Sequence, residues 1–298
     1  MTGLLRLFAY GVILALGLSH TGLYFAPGDS LAPFRPELLF LTAVGVTILS
    51  LKRQWVGAGS GAILIIVGLV SILRFAGSPV VDAPDVTVRQ HNLLVNNTQM
   101  DANIADILEN APDALTFQEA APHQTRLVSA LGPLYPYYQF CSYRTDTTAG
   151  SVAVMARDIG PKIDSGCAEN IHMAWVTLDT DDGPVTFASL HMLWPWPKGQ
   201  AEQAAFLEQA FGDLQRPVIL GGDFNNVPWS AIARQISAAS DTAVAPGLGS
   251  TFQIGGIWPR IRIDHVAGPT GATVEVTRGP KLGSDHYSLT AKIRFQGP

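Results

Sequence analysis

The first 80 residues carry only seven charged side chains, Arg6, Asp29, Arg35, Glu37, Lys52, Arg53 and Arg74. Between them lie three apolar runs, residues 7–25, 38–51 and 55–75, the last interrupted only by Arg74. A bilayer core is crossed by about 20 apolar residues in a helix, a length that the first and third runs supply. The middle run is shorter, about 21 Å at the helical rise. Pro36 nevertheless suits a first helical position, and Lys52 and Arg53 can reach back to an interface. Gly57, Gly59 and Gly61 would let helices approach closely.

Three transmembrane helices are therefore expected in an anchor of residues 1–78. A secretory signal would also begin with Arg6 and an apolar stretch, but no small-x-small site closes the run and two more follow, which favours a retained anchor. The Lys52-Arg53 pair places that loop in the cytoplasm. Arg6 falls on the same side, and the domain that follows lies on the periplasmic or extracellular side of the inner (plasma) membrane. Arg74 at the outer end runs against this pattern.

The remainder of the chain has the opposite character. Of 19 basic and 24 acidic residues, 14 and 22 lie in residues 81–298, a net charge of −8. That excludes a polybasic nucleic-acid clamp or a simple anionic-lipid-binding surface as the main design. Residues 77–85 read as a linker, and residues 79–298 are long enough for one domain with a substantial core. Strands are predicted over 86–88, 114–117, 151–155, 174–178, 185–190, 217–220, 261–266 and 288–295, and helices over 103–109 and 200–211, a mixed α/β pattern. Cys141 and Cys167 fit either a disulfide or two buried thiols.

Four strand-like runs end in acids or amides: Phe117-Gln118-Glu119, Gly221-Gly222-Asp223-Phe224-Asn225, Ile263-Asp264-His265 and Ser284-Asp285-His286. A carboxylate at a strand tip is fixed by the strand and exposed by the loop. One such site is usually a turn; several with glycine beside them point to chemistry. The hard oxygen donors of Asn92, Glu119 and Asp285 suit Mg²⁺ or Mn²⁺, and no zinc-type His or Cys spacing occurs. Such a cation offsets the charge that builds on phosphate oxygens, while an acid-base group activates water.

The ordered strings Gln90-His91-Asn92-Leu93-Leu94, Phe117-Gln118-Glu119, Ser189-Leu190-His191, Gly221-Gly222-Asp223-Phe224-Asn225, Ile263-Asp264-His265 and Ser284-Asp285-His286 resemble those of the endonuclease/exonuclease/phosphatase superfamily. That superfamily includes DNase I-like nucleases, neutral sphingomyelinases and inositol phosphatases. The resemblance spans residues 84–296 and implies a four-layered α/β sandwich after the N-terminal transmembrane region. It implies Glu119 as the principal metal ligand with Asn92 and Asp285 nearby. Asp223 and Asn225 would orient or deprotonate water and contact the phosphate. His286 and Asp264 would form the family's His-Asp couple, and His191 matches a histidine of DNase I-like and sphingomyelinase-like members. His265 reads as a neighbour of Asp264, and His20, His123 and His172 as ordinary satisfied side chains.

Tyr143 and Arg144 are candidates for substrate contact, or a solvated loop; Trp194, in Trp194-Pro195-Trp196-Pro197, is a candidate aromatic wall, or a packed turn. The expected function is metal-dependent hydrolysis of a phosphodiester, in a nucleic acid, a phospholipid head group or a small ester. The bilayer is the expected partner of the helices, and no protein partner is implied. A non-catalytic scaffold that keeps the sandwich is the rival from another class, disfavoured because all six strings stand. A small transporter is disfavoured because the spans hold no mid-membrane acid.

Overall fold

The computed structural model describes residues 2–143, 151–253 and 260–296. Helix α1 runs Thr2–Leu18, followed by a short α2 (Ala26–Asp29), α3 (Arg35–Leu51) and α4 (Trp55–Leu73). The first helix thus ends before residue 25. Ser19 Oγ turns back on the Leu16 carbonyl at 2.7 Å and Thr21 Oγ1 on that of Leu18 at 2.8 Å, meeting carbonyls that a continuing helix would have used. The middle run is longer than expected, because α3 begins at Arg35.

Two helical stretches, Ala26–Leu51 and Trp55–Leu73, are long and apolar enough to cross a membrane, and Gly3–Leu18 is a shorter apolar helix. Leu14, Phe40, Ile63, Ile66 and Val70 lie exposed on their outer faces. A Cβ at Gly45 would come 3.2 Å from Ala9 Cα, and one at Gly61 2.6 Å from Val46, so these positions set the helix spacing. Gly57 faces Tyr10, while Gly59 faces open space.

The strands follow as β1 (Val86–Asn92), β2 (Ala114–Gln118), β3 (Tyr137–Cys141), β4 (Val152–Ala156), β5 (Lys162–Ala168), β6 (Met173–Thr180) and β7 (Gly183–His191). Then come β8 (Val218–Asp223), β9 (Thr242–Val244), β10 (Phe252–Gln253), β11 (Arg260–Ile261), β12 (Asp264–Pro269), β13 (Thr273–Arg278) and β14 (Leu289–Arg294). They form two six-stranded mixed sheets, ordered β13-β14-β1-β2-β4-β3 and β5-β6-β7-β8-β12-β9, with β10-β11 as a separate pair.

Helices α5 (Met100–Asn110) and α6 (Gln124–Leu131) cover the first sheet, and their apolar residues pack with Leu115, Phe117 and Met155. Helices α7 (Gln200–Ala204), α8 (Leu207–Gly212) and α9 (Ala231–Ser240) lie on the side of the second sheet. Phe211 of α8 and Ile232 and Ile236 of α9 pack with Leu190, Leu220 and Phe224. The helix expected over 200–211 is therefore broken at Ala205 and Phe206. This is a four-layered α/β sandwich.

Period-two alternation in β1 shows how a core strand becomes part of a site. Val86 and Val88 join the core between the sheets. Further along the same face, Gln90 and Asn92 reach Asp264 and Asp223 of the second sheet. On the opposite face Arg89 pairs with Asp106 and His91 meets Asn103, both on α5. Gly221 permits the close approach of the sheets, since a Cβ there would lie 2.0 Å from Thr116 Oγ1.

Cys141 and Cys167 are disulfide-bonded, joining edge strands β3 and β5 of the two sheets. The loop after α1 docks on the sandwich. Asp29 accepts from the Ala231 and Ile232 amides at 2.6 and 3.1 Å, at the start of α9, and Trp229 Nε1 donates to the Ala32 carbonyl at 2.8 Å. Arg35, buried, donates to Ser19 Oγ, Ser71 Oγ and the Trp229 carbonyl, tying α1, α3 and α4 to that loop.

Candidate active site

Strand register assembles the site. His191 at the end of β7 stands beside Asp223 at the end of parallel β8, and antiparallel β12 sets Asp264 beside Asp223. Across the sandwich, β1 and β2 end level, with Asn92 beside Gln118. The carboxylate of Asp223 is the meeting point. Its Oδ2 accepts from Asn92 Nδ2 at 3.1 Å and lies 3.7 Å from His191 Nε2 and 3.8 Å from His286 Nε2. Its Oδ1 accepts from the Asn225 amide at 2.9 Å.

Glu119 and Asn225, directly after or close to the ends of β2 and β8, adopt φ of +57° and +48°. This left-handed conformation is uncommon outside glycine and turns both chains abruptly at the rim of the site. Glu119 Oε2 accepts from the Val95 amide at 2.8 Å, and Oε1 lies 3.4 Å from Asn92 Nδ2. Asn225 Nδ2 donates to the Met192 carbonyl at 2.7 Å, while its Oδ1 is buried without a hydrogen-bond partner among the described residues.

His286 Nδ1 lies 2.8 Å from Asp264 Oδ2, and Gln90 Nε2 donates to Asp264 Oδ1 at 3.0 Å. Burial opposes charge on His286, but Asp264, then Asp223, and the hydrogen bond to Asp264 outweigh it and raise its pKa to about 10. Burial would raise the Asp264 carboxyl, yet the His286 charge and hydrogen bonds from His286, Thr251 and Gln90 hold it below its ordinary value. Asp223 moves the other way: burial first and the Asp264 charge second push it to about 7. The couple is thus an imidazolium-carboxylate pair beside a carboxyl that titrates near neutrality.

Asp285 is half exposed, with Oδ1 3.9 Å from His286 Nε2. Trp194 stands at the rim, its ring 5.8 Å from Phe252, whose own ring lies 4.7 Å from His286. Tyr143 is not brought into this cluster: its hydroxyl donates to the Met173 carbonyl and its ring stacks on His172. Arg144 lies outside the described residues. His265 Nε2 donates to the Asn226 carbonyl over 2.9 Å, away from Asp264's partners, and His123 Nε2 similarly donates to the Leu94 carbonyl.

Sequence reasoning gave no role to the layer behind these groups. Gln90 Nε2 also donates to Gln118 Oε1 at 2.7 Å, and Gln118 Nε2 to Ser189 Oγ at 3.0 Å, a buried chain linking the two sheets. Thr251 Oγ1 accepts from the Ile263 and Asp264 amides. Ser284 Oγ donates to the Asn92 carbonyl at 2.7 Å and accepts from the His286 amide, tying two of the strings together. The available signal was polar residues inside otherwise apolar strands.

Among the described residues, Asp223, Asp264 and His286 place ligand-type atoms within 4.8 Å of one another. Both oxygens of Asp264 are already engaged by Gln90 and His286, so a cation inside that triad would have to break the couple. The oxygen donors at the open edge, Glu119 and Asp285 with Asn92 between the sheets, fit a hard divalent cation without that cost.

The sequence pattern of the Endonuclease/Exonuclease/phosphatase family matches residues 90–286. The chain belongs to that family of metal-dependent phosphoester hydrolases. No curated protein matches it. Among solved structures, mannosyl-6-phosphatase of Bacteroides thetaiotaomicron is similar with a TM-score of 0.55 and 19% identity, over 71% of this chain and 100% of that one. Sphingomyelinase C of Streptomyces griseocarneus is similar with a TM-score of 0.52 and 19% identity, over 70% and 99%. A beta toxin variant of Staphylococcus aureus with bound magnesium ions is similar with a TM-score of 0.51 and 16% identity, over 70% and 99%. At such identities these likenesses show the fold, a DNase I-like sandwich.

Proposed function

We propose that this protein is a membrane-anchored phosphodiesterase that works by direct attack of water. The observation that carries the reading is the convergence of Asn92, His191 and His286 on one carboxylate oxygen of Asp223, with Asp264 behind His286. Asp223, with a pKa of about 7, takes a proton from water as its oxygen bonds to phosphorus. The bond from phosphorus to the leaving oxygen breaks, and that oxygen is protonated from solvent. His286, held cationic by Asp264, donates from Nε2 to a phosphate oxygen. Asn225 orients water or phosphate, and His191 lends a second imidazole.

Glu119, Asn92 and Asp285 would hold Mg²⁺ or Mn²⁺, which when bound offsets charge on the phosphate oxygens. Tyr143 and Arg144 retain the proposed role of more distant substrate contacts, and Trp194 that of a wall beside Phe252.

The anchor reading rests on the exposed apolar faces of α1, α3 and α4 and on the small-residue contacts between them. The end of α1, the start of α3 and the end of α4 lie on the domain's side, with Arg6, Lys52 and Arg53 at the other end. This favours a domain on the periplasmic or extracellular face, as does a disulfide, which persists in oxidising compartments. External protease should therefore digest the domain in spheroplasts; protection until lysis would reverse the orientation.

Asn225 of the site is followed by Asn226, which holds Asp29 of the anchor. Val227 and Trp229 share an apolar cluster with Ala32, Ile72 and Phe75. A site so near the anchor favours a lipid-borne phosphodiester over nucleic acid, as does the net charge of −8 over residues 81–298. Parallel assays on phospholipid vesicles, plasmid DNA and bis(p-nitrophenyl) phosphate test this. Faster turnover of the lipid is expected, and plasmid cleavage alone would contradict it.

A further inference from the structure

A second pocket, separate from the cluster around Asp223, opens where α4 meets the domain. It measures about 450 Å³ and is lined by Arg74 and Phe75 after α4, by Pro228 and Arg234, and by Val244 and Pro246. Its walls are mainly apolar, with two guanidinium groups at the edge. Arg74 sits over the Phe75 ring at 4.7 Å, and Arg234 donates to the Trp229 carbonyl at 3.2 Å. Arg35 approaches that same carbonyl at 3.4 Å.

Three arginines therefore crowd one corner. No carboxylate lies within ion-pair distance of Arg74 or Arg234 among the described residues. Asp29 is the nearby acid, and its oxygens are engaged by Asn226 and by the amides that start α9. Arg74 and Arg234 line the same pocket, so two like charges share its edge. Such an arrangement invites an anion. The pocket's apolar walls and its position directly past Leu73, the last residue of α4, restrict which anion fits.

We propose that this pocket binds an anionic diacyl phospholipid of the surrounding bilayer, with its head-group phosphate between Arg74 and Arg234 and its glycerol and acyl portion along Phe75, Pro228, Val244 and Pro246. The lipid would fix the domain's height and tilt over the membrane. Arg74, which runs against the usual charge bias of an outer loop, acquires a function. The inference rests on α4 as a membrane span and not on catalysis.

The test uses the full chain in detergent, mixed with phosphatidylglycerol or phosphatidylcholine and read by native mass spectrometry. Preferential retention of phosphatidylglycerol is expected, falling about fivefold for each of Arg74→Gln and Arg234→Gln. Melting in lipid-free detergent checks the fold. If Arg234→Gln melts early through loss of its bond to Trp229, Arg74→Gln alone decides. Equal retention of the two lipids, unchanged retention by Arg74→Gln, or full displacement by soluble glycerol phosphate would each overturn the proposal. None of these readouts depends on the phosphodiesterase reading, which stands or falls on turnover.

Discussion

The side-chain amide of Asn226 donates to the carboxylate of Asp29 over 3.1 Å, across 197 residues of sequence. It joins the turn that carries Asp223 and Asn225 to the loop between the first helices, so the N-terminal helices are packed against the Asp223 end of the sandwich. Asp29 in addition caps α9 through two backbone amides.

Replacing Asp29 by Ala should therefore destabilise the docked state by about 1 kcal/mol or more, the cost of a lost helix cap with donors left buried. Limited proteolysis of the full chain reads this as faster cutting in residues 77–85. Cleavage at the wild-type rate would mean that the contact carries no docking energy.

The disulfide between Cys141 and Cys167 closes a 26-residue separation and pins two edge strands that no ladder joins. Replacing both by Ser should cost about 3 kcal/mol in the chain-entropy account. A denaturant midpoint unchanged by the double substitution or by reductant would contradict this.

His265 is fully buried against the Asn226 carbonyl, and burial followed by the Arg262 charge lowers its pKa to about 3. An unfolded histidine titrates near 6.5, so below that pH the unfolded chain binds a proton that the folded chain refuses. The contribution of His265 to stability should be level above pH 7 and fall by about 1.4 kcal/mol per pH unit as pH drops toward 3. His265→Gln should flatten the pH dependence of the melting temperature between pH 6.5 and 5; an unchanged slope would remove His265 from the account.

Asp264→Asn should leave the Nδ1 hydrogen bond of His286 possible in one amide orientation yet remove the main charge that holds the ring cationic. A loss of about 10²- to 10⁴-fold in kcat is expected, with a downward shift of the His286 titration seen by NMR. A titration that stays in place would show that Asp223 and Asp285 suffice.

Much of the site could be read from the chain because chemistry and backbone constraint coincide there. Gly221 and Gly222 precede Asp223 where the sheets touch, and Ser284 precedes His286 because its hydroxyl fastens that segment to β1. The Gln90-Gln118-Ser189 chain went unassigned because a polar residue in a buried strand gives no local sign of its partner on another sheet. The break at Ala205 and Phe206 was hidden because the apolar spacing continues through it. The docking of Asp29 was invisible for a similar reason, being a match between segments far apart in sequence with no motif in either. Tyr143 stands apart from the Asp223 cluster because its hydroxyl is engaged by the Met173 carbonyl, a long-range partner that its own neighbourhood in the sequence does not reveal.

The most direct test is steady-state hydrolysis of bis(p-nitrophenyl) phosphate by the full chain in detergent, comparing wild type with Asp223→Asn and with Glu119→Ala. EDTA should abolish wild-type turnover and Mg²⁺ or Mn²⁺ restore it. Both variants should lose about 10²-fold or more while melting near the wild-type temperature. Turnover indifferent to EDTA, or undiminished in Asp223→Asn, would contradict a metal-dependent site centred on that carboxylate.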